Sequence, residues 1–133
     1  MKNFNRATRK NKKMNQTITD SASNVITTEA NALITLAQKL PKDFKEVVKL
    51  ILQLEGHVII SGIGKSGHIG RKIAATLAST GTPSHFVHAT EASHGDLGAL
   101  TRKDACLLIS NSGETVELED LVSHAHRFSI PLI

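Results

Sequence analysis

The sequence contains one cysteine and lacks any apolar run long enough to cross a membrane. A spanning helix needs about 20 consecutive apolar residues, and residues 1–20 also lack the apolar middle of a signal peptide. A lone cysteine forms no internal disulfide, which is typical of a reducing compartment. Cys106 lies in the apolar run 105–109, so we predict a small core residue rather than a nucleophile. These absences predict a cytoplasmic protein with no membrane partner.

Most of the chain has no large excess of positive or negative charge. The formal net charge is +4, from 16 basic and 12 acidic residues. Residues 1–16 hold six of the basic residues and no acid, which leaves ten basic against twelve acidic residues elsewhere. We predict a disordered basic tail over residues 1–18, either a polyanion-binding arm or a solvated extension. We expect no nucleic-acid partner for residues 19–133.

The length of 133 residues matches one domain with one core. Apolar residues at helical spacing predict a helix over roughly residues 20–40. A second helix is predicted between Pro41, which suits a first turn, and Gly56, which suits a helix end. Two helices therefore precede the first predicted strand.

Strands and helices alternate along the rest of the chain. Short apolar runs predict strands at residues 57–61, 85–88 and 105–110. Helical patterns follow the first and third strands, at residues 66–80 and 114–128, and a loop separates the second strand from the third. Residues 130–133 look like the opening of a fourth strand. This order predicts an α/β fold, flavodoxin- or Rossmann-like, with a parallel sheet and helices on both faces.

A glycine-rich turn follows the first predicted strand. Gly62, Gly64 and Gly67 allow tight backbone geometry, and the next helix turns its free N–H groups toward the turn. Such a turn suits a phosphate. The alternative is a turn that only lets the helix approach its strand closely. Lys65 argues for an anion, because a cation at a helix N-terminus is otherwise poorly placed.

Two nucleotide-binding motifs compete for this turn. Residues 62–67 satisfy the dinucleotide pattern G-x-G-x-x-G, and Glu91 lies about where a ribose-binding acid could be. A P-loop would need glycine at position 59, which is Ile59, so that interpretation fails. The dinucleotide hypothesis stays open as a weak alternative.

A second strand-to-helix junction, at residues 110–115, is rich in hydroxyl and amide groups. Ser110, Ser112 and Thr115 can donate to phosphate oxygens, Asn111 adds an amide, and Gly113 lets the backbone close. The alternative is ordinary helix capping by Ser112 and Thr115. Because the carboxyl ends of parallel strands meet at one edge of the sheet, the two loops together favour a phosphate site.

Four sequence blocks carry a family resemblance. GIGKSGHIGRK (62–72), ASTGTP (78–83), EASHGDLG (91–98) and SNSGE (110–114) resemble the sugar isomerase (SIS) domain of bacterial arabinose-5-phosphate isomerases. The resemblance covers about residues 20–133. Members of this family continue beyond the point that matches Ile133, so the chain is expected to be the N-terminal part of such a domain, with weak or absent turnover by itself.

The resemblance implies interconversion of arabinose 5-phosphate and ribulose 5-phosphate through an enediolate, feeding Kdo and lipopolysaccharide synthesis. No cofactor and no metal are expected, and a homo-oligomer, dimer or tetramer, is implied. The chemistry requires a base and a donor that stabilises the oxyanion. The implied catalytic residues are Lys65, His94 and Glu117. The implied substrate-binding residues are Gly64, Ser66, Ser110, Asn111, Ser112 and Thr115.

Each implied catalytic residue also has a plainer interpretation. Glu117 is the first choice as base or proton shuttle, but it could be a solvated helix acid beside Glu119. His94 could be a hydrogen-bonded surface histidine or could project into a neighbouring subunit's site. Two other functions stay open: a non-catalytic phosphosugar-binding module and a nucleotide-binding Rossmann domain.

Overall fold

The first structural unit, which ends at Lys42, consists of one helix. The computed structural model describes residues 2–133, with the side chains of residues 16–133. Helix α1 spans Lys2–Gln38, so it covers most of the segment predicted to be a disordered tail and begins ahead of the predicted residue 20. The chain contains no glycine or proline before Pro41, so nothing in the sequence interrupts a helix. The boundary between residues 18 and 19 and the polyanion-binding role of the tail stay predictions.

The apolar side chains between residues 16 and 40 are exposed. Seven large apolar residues between positions 18 and 40 are 50–67% exposed: Ile18, Val25, Ile26, Leu33, Ile34, Leu36 and Leu40. The hydroxyls of Ser21, Thr28 and Thr35 each donate to the carbonyl four residues earlier, at 2.8–2.9 Å. These three hydroxyls therefore bond within the helix, while the large apolar side chains described in this unit stay exposed.

The second unit, Asp43–Ile133, contains the sheet. Its strands are β1 (Val58–Gly62), β2 (Ser84–Phe86) and β3 (Ala105–Ile109). Its helices are α2 (Phe44–Leu52), α3 (Lys65–Ser79), α4 (Ala89–Ser93) and α5 (Glu119–Phe128), with 3-10 turns at Asp96–Ala99 and Val116–Leu118. The predicted order of strands and helices is thus confirmed, except that α4 lies where a loop was predicted.

The three strands are parallel, in the order β2-β1-β3. Val58 pairs with Ser84 on one side and with Ala105 on the other. Beyond β3, Leu132 forms an isolated parallel bridge with Cys106, whose N–H donates to Pro131 O at 2.8 Å. This confirms the predicted opening of a fourth strand at residues 130–133.

Helices cover both faces of the sheet, as predicted. Val58 and Ile60 pack with Ala74 and the apolar residues of α2 and α3 on one face. Ile59, between them, points to the opposite face and packs with Ala92 of α4 and with α5. Alternate β1 side chains thus enter different cores, and all of them are buried.

The predicted loop between the second and third strands was wrong in part. Residues 89–93 form helix α4, followed by the 3-10 turn Asp96–Ala99. Ala89 and Ala92 are fully buried, so packing against the sheet explains a helix that has almost no periodic pattern of its own.

Asp104 is buried at the amino edge of the sheet, 4% exposed. Its carboxylate accepts from the N–H of His57 and from the N–H and hydroxyl of Thr101, each at 2.7 Å. Burial alone raises the pKa of Asp104, but these donors outweigh burial and leave the pKa below its usual value.

The predicted core position of Cys106 is confirmed, because the residue is fully buried. Burial, and secondarily the negative charge of Asp104, raises the pKa of Cys106 to about 11. The thiolate is therefore scarce at neutral pH, which argues against a nucleophile.

Across the described helices, none combines the length and apolar character needed to cross a membrane.

Candidate functional site

The strand order places a crevice at the carboxyl ends of β1 and β3. Helix α3 follows β1 on one face of the sheet, whereas α5 follows β3 on the other. In open parallel sheets, ligands bind where the connections leave to opposite faces, because the loops there separate. Both loops that the sequence analysis singled out, after Gly62 and after Ile109, lie at this point, and these two residues pair directly.

The glycines of the first loop have a demonstrable packing role. A Cβ at Gly67 would lie 2.7 Å from Gly62 O, and one at Gly70 would lie 3.0 Å from the Phe86 ring. Gly64 caps α3 with φ +57°, a conformation that favours glycine. The close-approach interpretation therefore holds for Gly67 and Gly70, whereas anion binding by the loop stays a prediction.

Gly67→Ala is expected to destabilise the chain by about 1–2 kcal/mol. The new methyl group meets backbone, so α3 must move away from β1, although the better helix propensity of alanine offsets about 1 kcal/mol. Urea denaturation measures the loss. Gly98→Ala is the control, because a Cβ there meets nothing within 4 Å. Equal stability of the two variants would contradict the packing role.

The hydroxyls of the second loop lie together. Ser110 Oγ accepts from Gly113 N–H at 3.0 Å and lies 2.7 Å from Thr115 Oγ1. Ser112 Oγ accepts from Glu114 N–H at 3.1 Å and lies 3.5 Å from Ser110 Oγ. Three hydroxyl oxygens are thus held in one cluster, the hydroxyl cluster, by bonds within the loop.

Helix capping does not explain this cluster. Helix α5 begins at Glu119, with Leu118 as its N-cap and no side-chain cap bond. The preceding turn has Thr115 as N-cap, again without a side-chain cap bond. The predicted helix start at residue 114 was therefore too early, and the hydroxyls bond within the loop instead of capping a helix.

An open cavity of about 630 Å³ lies beside the hydroxyl cluster. Its apolar lining is Leu108, Leu118 and Val122, and its polar lining is Ser110, Gly113, Thr115 and Ser123 with the carboxylates of Glu114 and Glu119. Pockets for small organic ligands have volumes of roughly 300–1,000 Å³. The cavity therefore has the size of a small-molecule site, and the hydroxyl cluster is the part of its wall that can donate to a phosphate, since Glu114 and Glu119 would repel one.

Comparison with known proteins agrees with this geometry. The SIS domain family matches residues 51–133. The chain belongs to the SIS domain family. Arabinose 5-phosphate isomerase KdsD of Pseudomonas aeruginosa is 50% identical over 113 residues, which cover 85% of this chain and 35% of that protein. An uncharacterized protein of Rickettsia prowazekii is 47% identical over 111 residues, covering 84% of this chain and 35% of its own length.

A solved structure shares the SIS fold and contains a ligand. The structure of Escherichia coli CFT073 c3406 in complex with arabinose 5-phosphate has a TM-score of 0.75 and 43% identity to this chain. The match covers 80% of this chain and 57% of that one. The chain spans about a third of the length of the curated relatives that it matches.

The residues predicted to be catalytic lie on three different elements of the SIS domain. Lys65 is the first residue of α3, His94 follows the end of α4, and Glu117 lies in the turn before α5; all three are exposed. In the part of the chain with described side chains, no hydrogen bond or ion pair joins them to each other or to the hydroxyl cluster. Ser66 is half-buried in the first turn of α3, and Asn111 is exposed. The structure thus brings Ser110, Ser112 and Thr115 together, while the other assignments stay predictions.

The sequence analysis missed a second group of polar residues in this SIS domain. His68, Arg71 and His88 line a smaller cavity, of about 150 Å³, on the β2 side of the glycine-rich turn. The spacing of His68 and Arg71, three residues apart on one helix, is the signal that could have indicated a shared face. Among residues 16–133, no three His, Cys, Asp or Glu side chains come together as a metal site would require.

Proposed function

We propose that this protein interconverts arabinose 5-phosphate and ribulose 5-phosphate. The observation that carries the proposal is the hydroxyl cluster at the β1/β3 crevice, in a chain 50% identical to an arabinose 5-phosphate isomerase over 113 residues. The sugar phosphate group would bind Ser110, Ser112 and Thr115, with Asn111, Gly64 and Ser66 contributing from the loop edges. Uncharged hydroxyl donors bind a phosphate less strongly than cationic side chains do, so the phosphorylated product can dissociate after the reaction.

The proposed chemistry moves one proton between C1 and C2 of the open-chain sugar. Glu117, exposed beside the loop, is the proposed base that takes the proton and returns it to the neighbouring carbon. Lys65, at the N-terminus of α3, is the proposed cation that stabilises the enediolate oxygen, aided by the helix dipole. A second proton must move from the C2 hydroxyl to the C1 oxygen, and with both transfers the atoms balance, so the isomerisation consumes no second reactant.

His94 is the proposed contribution of a neighbouring subunit. It lies exposed at the end of α4, without a bond to the other site residues in the described part of the chain. A homo-oligomer, dimer or tetramer, is supported by the apolar residues Phe44, Val48 and Leu52 on successive turns of α2, which are 39–77% exposed. We place the reaction in the cytoplasm, where its product would supply Kdo and lipopolysaccharide synthesis.

Incubation of the purified chain with arabinose 5-phosphate tests the proposal. Formation of ribulose 5-phosphate, followed by a colorimetric ketose assay, is the supporting result. Weak turnover is sufficient support, because the chain spans about a third of its relatives' length. Saturable binding of arabinose 5-phosphate with no detectable turnover would favour the non-catalytic phosphosugar-binding alternative. Protection from thermal unfolding by NAD, without protection by arabinose 5-phosphate, would overturn both in favour of a nucleotide-binding domain.

A further inference from the structure

A second cavity lies at the carboxyl ends of β1 and β2, on the opposite side of β1 from the hydroxyl cluster. Arg71, His68 and His88 line it, together with the Phe86 ring and three glycines of the first loop, Gly62, Gly64 and Gly67. None of the described residues that line it is acidic. Its walls therefore present one permanent cation and two imidazoles, all of which can donate hydrogen bonds.

Arg71 is oriented by stacking and not by an ion pair. Its guanidinium carbon lies 4.2 Å from the centre of the Phe86 ring. In the described part of the chain, Arg71 has no salt bridge, since the two ion pairs there join His57 to Asp104 and Lys103 to Glu55. A guanidinium stacked on an aromatic face keeps its N–H edge available for a planar anion contact.

The Phe86 platform is itself held in place. Gly70 brings α3 so close that a Cβ there would lie 3.0 Å from the Phe86 ring. His88 meets the same ring edge-on, with 6.4 Å between ring centres. Because the platform is fixed, less side-chain entropy is lost when Arg71 binds an anion than for a freely rotating arginine.

The size of the cavity limits its ligand. A volume of about 150 Å³ falls below the range of about 300–1,000 Å³ for drug-sized ligands. We propose that this cavity is a second anion site, which borders the proposed substrate site at Gly64 and binds a phosphate-sized oxyanion through Arg71, His68 and His88. The proposal does not depend on the isomerase activity.

Titration of the ¹⁵N-labelled chain with inorganic phosphate, at constant ionic strength set by chloride, tests the second site. We expect saturable shifts of the Gly67 and His68 amides. Arg71→Gln is expected to weaken this binding at least about tenfold, because it removes a charge-assisted bond. Lys72→Gln is the control, because it removes the same charge one residue further along the helix. Lys72 Nζ contacts Thr76 Oγ1 at 2.7 Å and lies outside the cavity. This substitution should change the affinity for phosphate less than about twofold.

Two further variants separate the two sites and guard against misfolding. Ser110→Ala should leave the Gly67 and His68 shifts in place while it removes any phosphate-induced shift of Gly113. His68→Gln, at an exposed position, should weaken binding without loss of the fold, as judged by the amide spectrum. The proposal is overturned by unsaturable shifts, by equal affinities of Arg71→Gln and Lys72→Gln, or by joint loss of both sets of shifts in Ser110→Ala.

Discussion

Ser110→Ala is expected to weaken the binding of arabinose 5-phosphate about tenfold to hundredfold. Ser110 Oγ accepts from Gly113 N–H and contacts Thr115 Oγ1 at 2.7 Å, so its removal loses one donor to the substrate and releases two neighbouring groups. A hydrogen bond to a charged group contributes about 1.5–3 kcal/mol, and about 1.4 kcal/mol corresponds to tenfold. Isothermal titration calorimetry measures the change without requiring turnover.

Ser123→Ala is the matched control for Ser110→Ala. Ser123 also lines the 630 Å³ cavity, but it is exposed and makes no hydrogen bond in the described part of the chain. Its replacement should alter the affinity less than about twofold, because no donor network depends on it. Comparable weakening by both substitutions would contradict the assignment of the phosphate to the hydroxyl cluster.

Asp104→Asn is expected to destabilise the chain by about 3 kcal/mol at pH 7. Asparagine offers one acceptor oxygen where the carboxylate has two, so its amide group faces the N–H of His57 or of Thr101. A buried donor without a partner costs about 1–3 kcal/mol, and the bonds that remain lose their charge assistance. Urea denaturation at pH 7 measures the free energy of unfolding.

The same substitution is expected to change how stability depends on pH. The pKa of Asp104 is lowered in the folded chain, so its contribution is complete above the unfolded-state pKa of about 4 and is lost as the pH falls below it. Asp104→Asn should therefore remove part of the stability loss between about pH 5 and pH 3. Denaturant unfolding at several pH values in this window gives the slope of the unfolding free energy against pH for each variant.

Glu55→Gln provides the control at the same edge of the sheet. Glu55 pairs with Lys103 at 3.2 Å, but both side chains are at least 70% exposed, and such pairs contribute about 0–1 kcal/mol. We expect Glu55→Gln to lower the free energy of unfolding only slightly and to leave its slope against pH unchanged below pH 5. Equal losses for Asp104→Asn and Glu55→Gln would show that the buried carboxylate contributes no more than a surface pair.

The local pattern of the sequence was sufficient for the order of elements around the candidate site. Apolar runs predicted three strands and the opening of a fourth, and the hydroxyl-rich segment predicted the loop where Ser110 and Thr115 now contact each other at 2.7 Å. These features depend on residues within a few positions of each other. Periodicity and turn residues encode such short-range structure directly.

Other features depend on contacts that only the fold creates. Helix α4 is short and has no strong pattern, so its burial against the sheet decides its structure. Helix α1 extends to Lys2, because an absence of glycine and proline permits a helix that composition alone suggested would be disordered. The first case is decided by packing, which joins residues that no local pattern relates.

The sequence by itself determined the family-typical blocks, the parallel α/β order and the two loops at the crevice. Only the tertiary structure decided that Gly67 and Gly70 bring α3 against Gly62 and Phe86, that Arg71 stacks on Phe86, and that Asp104 bonds to His57, 47 positions away. The physical reason is sheet register. Pairing of β1 with β2 and β3 places residues far apart in the chain within contact distance, and no local pattern records which of them will meet.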